Sequence, residues 1–368
     1  MNRQRAIINK FYQSFKKTFY NDTPAKHINP LQDFQKTEFG ENTYQQDINF
    51  NNWMYNNNPS NDRYYCLQDN QVVGQQSAIG TELFLNGELI NAAYAIDLRI
   101  RPEWKMKGLG VAMIGALMEK YDVLIGVGVS DEAYKMFIRQ GWLDLGRTET
   151  FIKPLDMSCL KKRTVKANFS TSLKYIIALL ISNLSNIYRK CLSRKYTFKK
   201  LSHFTKDHEK IVDSTLNENV ISSRKTKEYL NWRFIDFPGN NNYESYELID
   251  NNIPQAFFSI KRALINGTDI IIISEVHANK TDLPAIIDYI IELSIQKKAC
   301  TIIYNGLDED IQYILKSRYF FHHPEGDRFV VFSNKPEFET ALMKKENWKI
   351  NYADSDADFF LLNDERQT

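Results

Sequence analysis

The sequence of 368 residues lacks the features that mark several large classes of protein. Its four cysteines, Cys66, Cys159, Cys191 and Cys300, are widely scattered, without the paired spacing of a zinc site or a disulfide framework. We therefore expect free thiols in a reducing cytoplasm and no bound metal. The net charge is only +2, which argues against bulk electrostatic binding to nucleic acid.

Long apolar runs are also missing. Residues 1–17 contain no continuous apolar core, so we do not expect a secretory signal at the start of the chain. The longest uninterrupted run within the apolar stretch Leu173–Leu184 is Tyr175–Ile181, far below the roughly 20 residues that cross a bilayer. Apolar residues still make up 43% of the chain and aromatic residues 13%, enough for well-filled cores, and the length suggests two domains.

The most informative stretch joins a predicted strand to a predicted helix through a loop that contains glycine. Ile96, Leu98 and Ile100 alternate with polar neighbours, which is typical of a strand that ends at Pro102. A helix is predicted from residue 109 to residue 120. Glycines in the loop between them let bare N–H groups gather at the start of the helix, where they favour an anion.

In this stretch the chain resembles the GNAT superfamily of acyl-CoA N-acyltransferases. The motif of that superfamily is [Q/R]-x-x-G-x-[G/A] between a strand and a helix, and Lys105, Gly108 and Gly110 stand at its fixed positions, with lysine replacing Q/R. A second predicted strand, Val123–Val129, and a helix, Ala133–Gln140, follow in the superfamily order. The resemblance implies an acyl-CoA co-substrate, with loop amides holding its pyrophosphate.

The resemblance also implies which residues contact coenzyme A. Main-chain N–H groups near Leu98–Ile100 would pair with the pantetheine and polarise the thioester carbonyl, while the loop and two downstream positions complete the site. The predicted cofactor contacts are Leu98, Arg99, Ile100, Lys105, Met106, Lys107, Gly108, Leu109, Gly110, Val111, Ser130 and Phe137. Phe137 stands where many members of the superfamily carry a tyrosine that protonates the departing thiolate, so we expect that acid to be missing.

A faint repeat with an offset near 180 residues runs through the chain. The pattern Trp53-x-Tyr55-x-x-x-Pro59 returns as Trp232-x-Phe234-x-x-x-Pro238. Hairpin turns at Asn86-Gly87 and Asn266-Gly267, a strand and a helix follow in each copy. We infer an α+β fold with two tandem GNAT-like domains, each a mixed, mostly antiparallel sheet flanked by helices.

The domain organisation predicted from the repeat has three parts. Residues 1–156 form a catalytic GNAT domain with the coenzyme A loop, and residues 207–368 form a degenerate GNAT-like domain that completes the acceptor pocket. The second copy reads ANKTDLPAI where the first has its glycine loop, so we do not expect it to bind a pyrophosphate in the same way. Residues 157–206 form a basic, partly apolar helical connector.

The connector has an unusual charge pattern. Residues 157–206 contain no Asp or Glu, and residues 161–200 contain eleven Lys and Arg. One interpretation is a helix packed against the domains with a solvated basic rim. The alternatives are a peripheral contact of residues 161–200 with the inner face of a membrane, because basic amphipathic helices suit anionic headgroups, or a contact with the phosphates of coenzyme A or of a nucleotide acceptor.

The predicted site has one candidate for the general base within the strand. Asp97 is the carboxylate within the strand that precedes the loop, but alternation places it on the face opposite Leu98 and Ile100, where pairing with Arg99 would explain it equally well. The predicted acceptor contacts are Trp53, Tyr55, Trp232, Arg233 and His277. The pattern Asp354-Ser355-Asp356-x-Asp358 resembles the start of a calcium loop, but it lacks the later glycine and glutamate.

The whole layout resembles bacterial sugar N-acyltransferases of surface-polysaccharide pathways. That resemblance implies transfer of an acyl group, 3-hydroxybutyryl or acetyl, to the amine of a nucleotide-linked amino sugar such as a dTDP-3-amino-3,6-dideoxyhexose. A Fem-like aminoacyl transferase of cell-wall synthesis and a non-catalytic scaffold of a membrane-associated complex are the alternatives. The oligomeric state cannot be read from the sequence.

Overall fold

The computed structural model describes residues 3–40, 43–58, 60–156, 196–239, 243–265, 268–323 and 325–359. Most of the predicted connector, residues 157–195, lies outside the described residues, as do Pro59 and the predicted turn at Asn266-Gly267. The described chain divides into two compact units. The first unit comprises residues 1–147, 218–224 and 327–347, and the second comprises residues 148–217, 225–326 and 348–368.

The first unit is a mixed sheet with helices. Its strands are β1 (Phe19–Tyr20), β2 (Asp62–Gln68), β3 (Gln71–Leu85), β4 (Glu88–Ile100), β5 (Val123–Val127), β6 (Leu143–Arg147), β9 (Ser222–Arg224) and β15 (Arg328–Ser333). Its helices are α1 (Arg3–Phe15), α2 (Ala25–Phe39), α3 (Ile48–Asn51), α4 (Leu109–Lys120), α5 (Asp131–Arg139) and α10 (Pro336–Leu342). The strand order is β1-β2-β3-β4-β5-β15-β6, with β9 paired to the far part of β3.

The second unit repeats this plan. Its strands are β7 (Glu149–Pro154), β8 (Thr197–Lys200), β10 (Tyr243–Asp250), β11 (Ile253–Ile265), β12 (Thr268–His277), β13 (Thr301–Gly306) and β14 (Phe321–His323). Its helices are α6 (Lys206–Ser214), α7 (Lys227–Leu230), α8 (Leu283–Gln296) and α9 (Glu309–Ser317). The strand order is β14-β7-β13-β12-β11-β10-β8. The predicted α+β fold, with two repeats that each form a mixed, mostly antiparallel sheet flanked by helices, is therefore confirmed.

Each repeat contributes its last strand to the other unit. Strand β15, near the end of the second repeat, lies between β5 and β6 of the first sheet, and is antiparallel to both. Strand β7, at the end of the first repeat, lies between β13 and β14 of the second sheet. The structural units are therefore interleaved along the chain. The functional division at residues 156 and 207 remains a prediction.

The local structure of the aromatic repeat is the same in both units. Asp47 caps α3 with its side chain, and the chain then continues as a π-helical turn, Asn52–Asn56, which holds Trp53. Thr226 caps α7 in the same way, and the π-helical turn Asn231–Ile235 holds Trp232. A side-chain oxygen at the N-cap satisfies otherwise unpaired amides of the first turn. The shared cap and turn support the repeat inferred from sequence.

The core of the first unit lies between α4 and the sheet. Helix α4 carries apolar side chains that pack on Ala78 of β3 and on Leu124 of β5, and β15 adds Val330 and Phe332 to the same cluster. The hairpin between β3 and β4 turns at Asn86 and Gly87, both with positive φ, as predicted. No helix among the described residues is both long and apolar enough to span a bilayer.

Candidate functional site

The site begins where two parallel strands of the first unit part. Strands β4 and β5 pair in parallel over Ala92–Tyr94 and Val123–Ile125. Beyond Tyr94, β4 continues to Ile100, and among the described strands this stretch pairs with β3 alone. The edge of β4 that turns away from β3 thus carries main-chain groups that can accept an extended ligand as an additional strand.

The end of β4 is held firmly where the predicted coenzyme A loop begins. The side chains of Leu98 and Ile100 pack against Leu109 and Met113 of α4. The guanidinium of Arg101 donates to the carbonyl of Val72 at 2.8 Å, and it forms an ion pair with Asp33 of α2 at 2.9 Å. These contacts fix the direction in which the loop leaves the sheet. A short 3₁₀ turn, Pro102–Trp104, follows.

The loop itself adopts two left-handed backbone conformations. Met106 has φ of 62° and Gly108 has φ of 83°. Gly108 is the N-cap of α4, and no side chain caps the helix there. Its carbonyl accepts from the amide of Ala112 at 3.0 Å, while the first amides of an α-helix have no partner within the helix. The predicted strand, glycine loop and helix are all present in this order.

Position 108 requires glycine because of the limited space around it as well as its positive φ. A Cβ atom at this position would lie 2.2 Å from two ring carbons of Phe11 in α1. A side chain at position 108 would therefore have to displace the aromatic ring, besides adopting a strained backbone conformation. A substitution such as Gly108→Asp would therefore disturb the packing of α1 as well as the loop.

Three cations surround the beginning of α4 and α5. Lys105 forms an ion pair with Glu132 in the first turn of α5 at 3.0 Å, and the ammonium of Lys107 lies 4.5 Å from the ring centre of Trp104. Arg328 of β15 forms an ion pair with Asp131 at 2.6 Å. Met106 is 97% exposed at the tip of the loop. Positive side chains beside helix N-termini favour the binding of phosphate groups.

A β-bulge interrupts β4 next to this loop. In the pairing with β3, Ile96 lies opposite Ser77 and Arg99 lies opposite Gln75, so two residues of β4, Asp97 and Leu98, face one residue of β3. Asp97 has φ of 55°, a conformation that aspartate adopts more readily than most residues. A bulge re-aims side chains and exposes backbone groups, and bulges occur often next to active sites.

The bulge leaves Asp97 in a polar cluster on the face opposite α4, as alternation predicted. Its carboxylate accepts a hydrogen bond from the Gln45 amide at 3.1 Å, and the Tyr55 hydroxyl lies 3.5 Å from its other oxygen. Tyr55 also donates to the Ser77 hydroxyl at 2.8 Å. The guanidinium of Arg99 lies over the ring of Phe39, 5.4 Å from its centre.

Burial changes the acidity of this carboxyl group. Loss of solvent raises the pKa of Asp97 above its ordinary value, and the hydrogen bond from Gln45 and the positive charge of Arg99 only partly oppose this effect. The Arg63 guanidinium, which stacks 4.4 Å from the Tyr55 ring centre, opposes it further. A carboxylate with a raised pKa is a stronger base once ionised, which suits it to accept a proton.

The remaining predicted contacts of the first unit lie in more ordinary surroundings. Ser130 is the N-cap of α5 and accepts from the amide of Ala133. Phe137 is 3% exposed and stacks on Trp142 with ring centres 4.3 Å apart, so its side chain belongs to the core. Trp53 is 2% exposed and packs on Phe50. These positions favour packing roles, and their ligand contacts remain predictions.

The predicted acceptor contacts of the second unit are buried. Trp232 is 5% exposed, and Arg233 is fully buried with its guanidinium 2.6 Å from the carboxylate of Asp358. His277 lies 2.7 Å from the carboxylate of Glu275. A phosphate could reach Arg233 only by replacing Asp358. The structure therefore gives these side chains partners within the chain.

Sequence reasoning missed several polar residues of the site. Gln45 and Ser77 contact Asp97 and Tyr55, and the Gln76 amide donates to the carbonyl of Ile96 at the bulge, at 2.7 Å. The run Gln75-Gln76-Ser77 stands inside an otherwise apolar strand, and this buried polar run was the signal that could have revealed them. No comparable signal marks Arg328, which β15 brings into the first sheet.

Comparison with solved structures identifies the fold. The chain is similar to a conserved protein of unknown function from Enterococcus faecalis V583, described as a probable N-acyltransferase, with a TM-score of 0.58 and 11% identity over 86% of this chain and 72% of that chain. It is also similar to Saccharomyces cerevisiae N-myristoyltransferase with bound myristoyl-CoA, with a TM-score of 0.56 and 13% identity over 86% of this chain and 78% of that chain.

A third similar structure is a GCN5-related N-acetyltransferase from Anabaena variabilis, with a TM-score of 0.57 and 11% identity over 85% of this chain and 72% of that chain. No protein-family model matches the chain, and no curated protein matches it either. At these identities the likeness concerns the fold alone. The chain has the tandem GNAT-like fold.

Proposed function

We propose that this protein is an acyl-CoA-dependent N-acyltransferase whose donor site lies in the first unit. The observation that carries the proposal is the parting of β4 from β5 beside a left-handed glycine loop that opens α4. The free edge of β4 would pair with the pantetheine arm. The first amides of α4, with Lys105, Lys107 and Arg328 nearby, would hold the pyrophosphate.

The chemistry follows from these positions. A neutral amine attacks the thioester carbonyl carbon, the C–N bond forms, and the developing oxyanion is stabilised by main-chain N–H groups near Leu98–Ile100. Asp97 takes the proton that the nitrogen loses. The C–S bond then breaks, and solvent protonates the thiolate, because Phe137 stands where a tyrosine would supply that proton.

Tyr55 and Gln45 would act as positioning residues. Both reach the carboxylate of Asp97, and Tyr55 is itself held by Ser77 and by the Arg63 guanidinium. Such a network keeps a base in one orientation while its own polar groups stay satisfied. The acceptor amine would then approach from the face of β4 that carries Asp97, and the donor from the edge.

We further propose that the acceptor is a nucleotide-linked amino sugar and that the acyl group is short. This part rests on the resemblance in sequence layout to sugar N-acyltransferases and on the aromatic side chain of Tyr55 near Asp97. The yeast enzyme was solved with myristoyl-CoA, so a long acyl chain is the natural competing donor. A peripheral contact of residues 161–200 with the inner face of a membrane also remains a proposal.

Thiol release measures the proposed activity directly. The purified chain is incubated with acetyl-, 3-hydroxybutyryl- or myristoyl-CoA and with a dTDP-amino sugar, and free coenzyme A is followed over time. We expect release only when a short-chain donor and the amine are both present. Absence of release with every donor and amine, or a reaction that requires aminoacyl-tRNA and ignores coenzyme A, would overturn the proposal.

A further inference from the structure

In the second unit, as in the first, two parallel strands separate, and we call this place the strand opening. Strands β12 and β13 pair in parallel over Ile270–Ile273 and Thr301–Tyr304, and β12 then continues to His277. A bulge after Ile273 leaves Ser274 without an opposite residue in β11. This opening corresponds to the one beside Asp97, yet its sequence lacks the glycine loop. The residues that lie at this opening also differ from those beside Asp97.

A segment from the C-terminal part of the chain, residues 348–359, lies at this opening. Ile350 exchanges two backbone hydrogen bonds of 2.8 Å with Leu307, the residue that follows β13. The carbonyl of Ile350 approaches so closely that a Cβ atom on Gly306 would lie 2.3 Å from it. The Asn351 amide donates to Glu275 of β12 at 2.5 Å. The segment therefore joins both strands where they part.

Two aspartates of the segment form ion pairs with buried cations. Lys225 lies 2.6 Å from the carboxylate of Asp354 and 3.3 Å from that of Glu275, and all three side chains are at most 1% exposed. Arg233 lies 2.6 Å from the carboxylate of Asp358, with both side chains fully buried. Buried charges persist in a protein only when they are paired and hydrogen-bonded.

The surrounding residues also form hydrogen bonds with the backbone of the segment. The ammonium of Lys261 donates to the carbonyl of Asp358 at 2.5 Å, and the Arg233 guanidinium donates to the carbonyl of Ala353 at 3.2 Å. The Tyr243 hydroxyl donates to the second carboxylate oxygen of Asp358 at 2.5 Å. Proteins that bind extended peptides use the same two kinds of contact, main-chain hydrogen bonds and cations that pair with acidic side chains.

We propose that the second unit is a binding site for an acidic peptide and that its occupant is the chain's own segment 348–359. Lys225, Arg233 and Lys261 recognise Asp354 and Asp358, and the Leu307–Ile350 bridge sets the register. This role accounts for Asp354 and Asp358 of the acidic pattern without a metal. It does not depend on the transferase activity proposed above.

A cleaved form of the intact protein tests the proposal. A recognition sequence for a specific protease is inserted after Lys344, an exposed residue that precedes the 3₁₀ turn Lys345–Asn347, and the folded chain is then cut. We expect the released fragment, residues 345–368, to remain with the rest of the chain through gel filtration. Separation of the fragment from the cut wild-type protein would overturn the proposal.

Exchange of the fragment measures the recognition. The cut protein is mixed with an excess of an isotopically labelled peptide of residues 345–368, and mass spectrometry follows replacement of the bound fragment. Asp358→Asn should speed replacement by at least about tenfold, since it removes the charged partner of the buried Arg233 guanidinium. The exposed Glu346→Gln variant of the same fragment is the matched control and should exchange at the wild-type rate. Equal rates for Asp358→Asn and the control would contradict the assigned recognition.

Discussion

The two units share one framework and differ in what lies at the strand opening. In the first unit, β4 parts from β5 beside a glycine loop, and Asp97 stands at a bulge with polar neighbours. In the second unit, β12 parts from β13 beside a segment of the same chain that carries Asp354 and Asp358. The two units show that the same fold can carry different residues where the strands part. The function of each unit therefore has to be argued from its loop and its side chains, and not from the fold.

The largest expected effect concerns the base of the first unit. Asp97→Asn keeps the size of the side chain and removes the proton acceptor, so we expect kcat to fall about 10²–10⁴-fold while acyl-CoA still binds. Steady-state kinetics and calorimetry measure the two effects. Glu88→Gln, an exposed change in the same strand, is the control. Unchanged kcat in Asp97→Asn would remove Asp97 from the mechanism.

The second prediction concerns the buried ion pair between Arg233 and Asp358 in the second unit. Asp358→Asn leaves the Arg233 guanidinium buried without its carboxylate, so we expect the second unit to lose about 3–5 kcal/mol of stability. Hydrogen exchange in β12 and β13 reports this unit separately. Asp207→Asn breaks a solvent-exposed pair with Lys210 and should cost less than about 1 kcal/mol. Similar losses in both variants would mean that Asp358 has no special role.

The third prediction concerns the loop that only the first unit retains. Met106 is exposed and has a left-handed backbone, which aspartate and asparagine both tolerate. Two variants with side chains of nearly equal size can therefore be compared, one charged and one neutral. Met106→Asp places a carboxylate beside the loop and should weaken acyl-CoA binding about tenfold, or about 1.4 kcal/mol. Met106→Asn should bind nearly as well as the wild type. Equal affinities, measured by calorimetry, would place the pyrophosphate elsewhere.

The smallest expected effect is a dependence of stability on pH. The pKa of Asp97 is higher in the folded chain than its unfolded value of 3.8, so the unfolded chain loses the proton first. Folding then becomes less favourable as pH rises through the window between the two values. Asp97→Asn should therefore melt at a higher temperature than the wild type at neutral pH and at the same temperature below the window. A gap that stays constant with pH would show that Asp97 does not titrate in this way.

Much of the fold followed from local patterns. Helix α4 begins and ends at the predicted residues 109 and 120, and the helix predicted in the second copy of the repeat is present as α8, Leu283–Gln296. Both carry apolar residues at a helical period, and a loop signal precedes each of them. The exchange of β7 and β15 could not be predicted, because the alternation within a strand shows which face is buried and does not name its partner strand.

The site was only partly accessible to the same reasoning. The glycine spacing predicted the loop, but no local pattern reveals that Phe11 packs on Gly108. The bulge at Asp97 changes the register of the strand, and a strict period of two cannot represent it. The acidic pattern of the C-terminal segment resembled the start of a calcium loop without completing one. Acidic spacing alone does not show that Asp354 and Asp358 pair with buried lysine and arginine.

Hydrogen exchange with and without acyl-CoA shows which unit binds the donor. We expect slower exchange at the amides of residues 98–100 and 108–111 when the donor is added, and no change in residues 274–277 of β12. Slower exchange in that part of β12, or no change anywhere in the first unit, would contradict the claim that the first unit holds the donor.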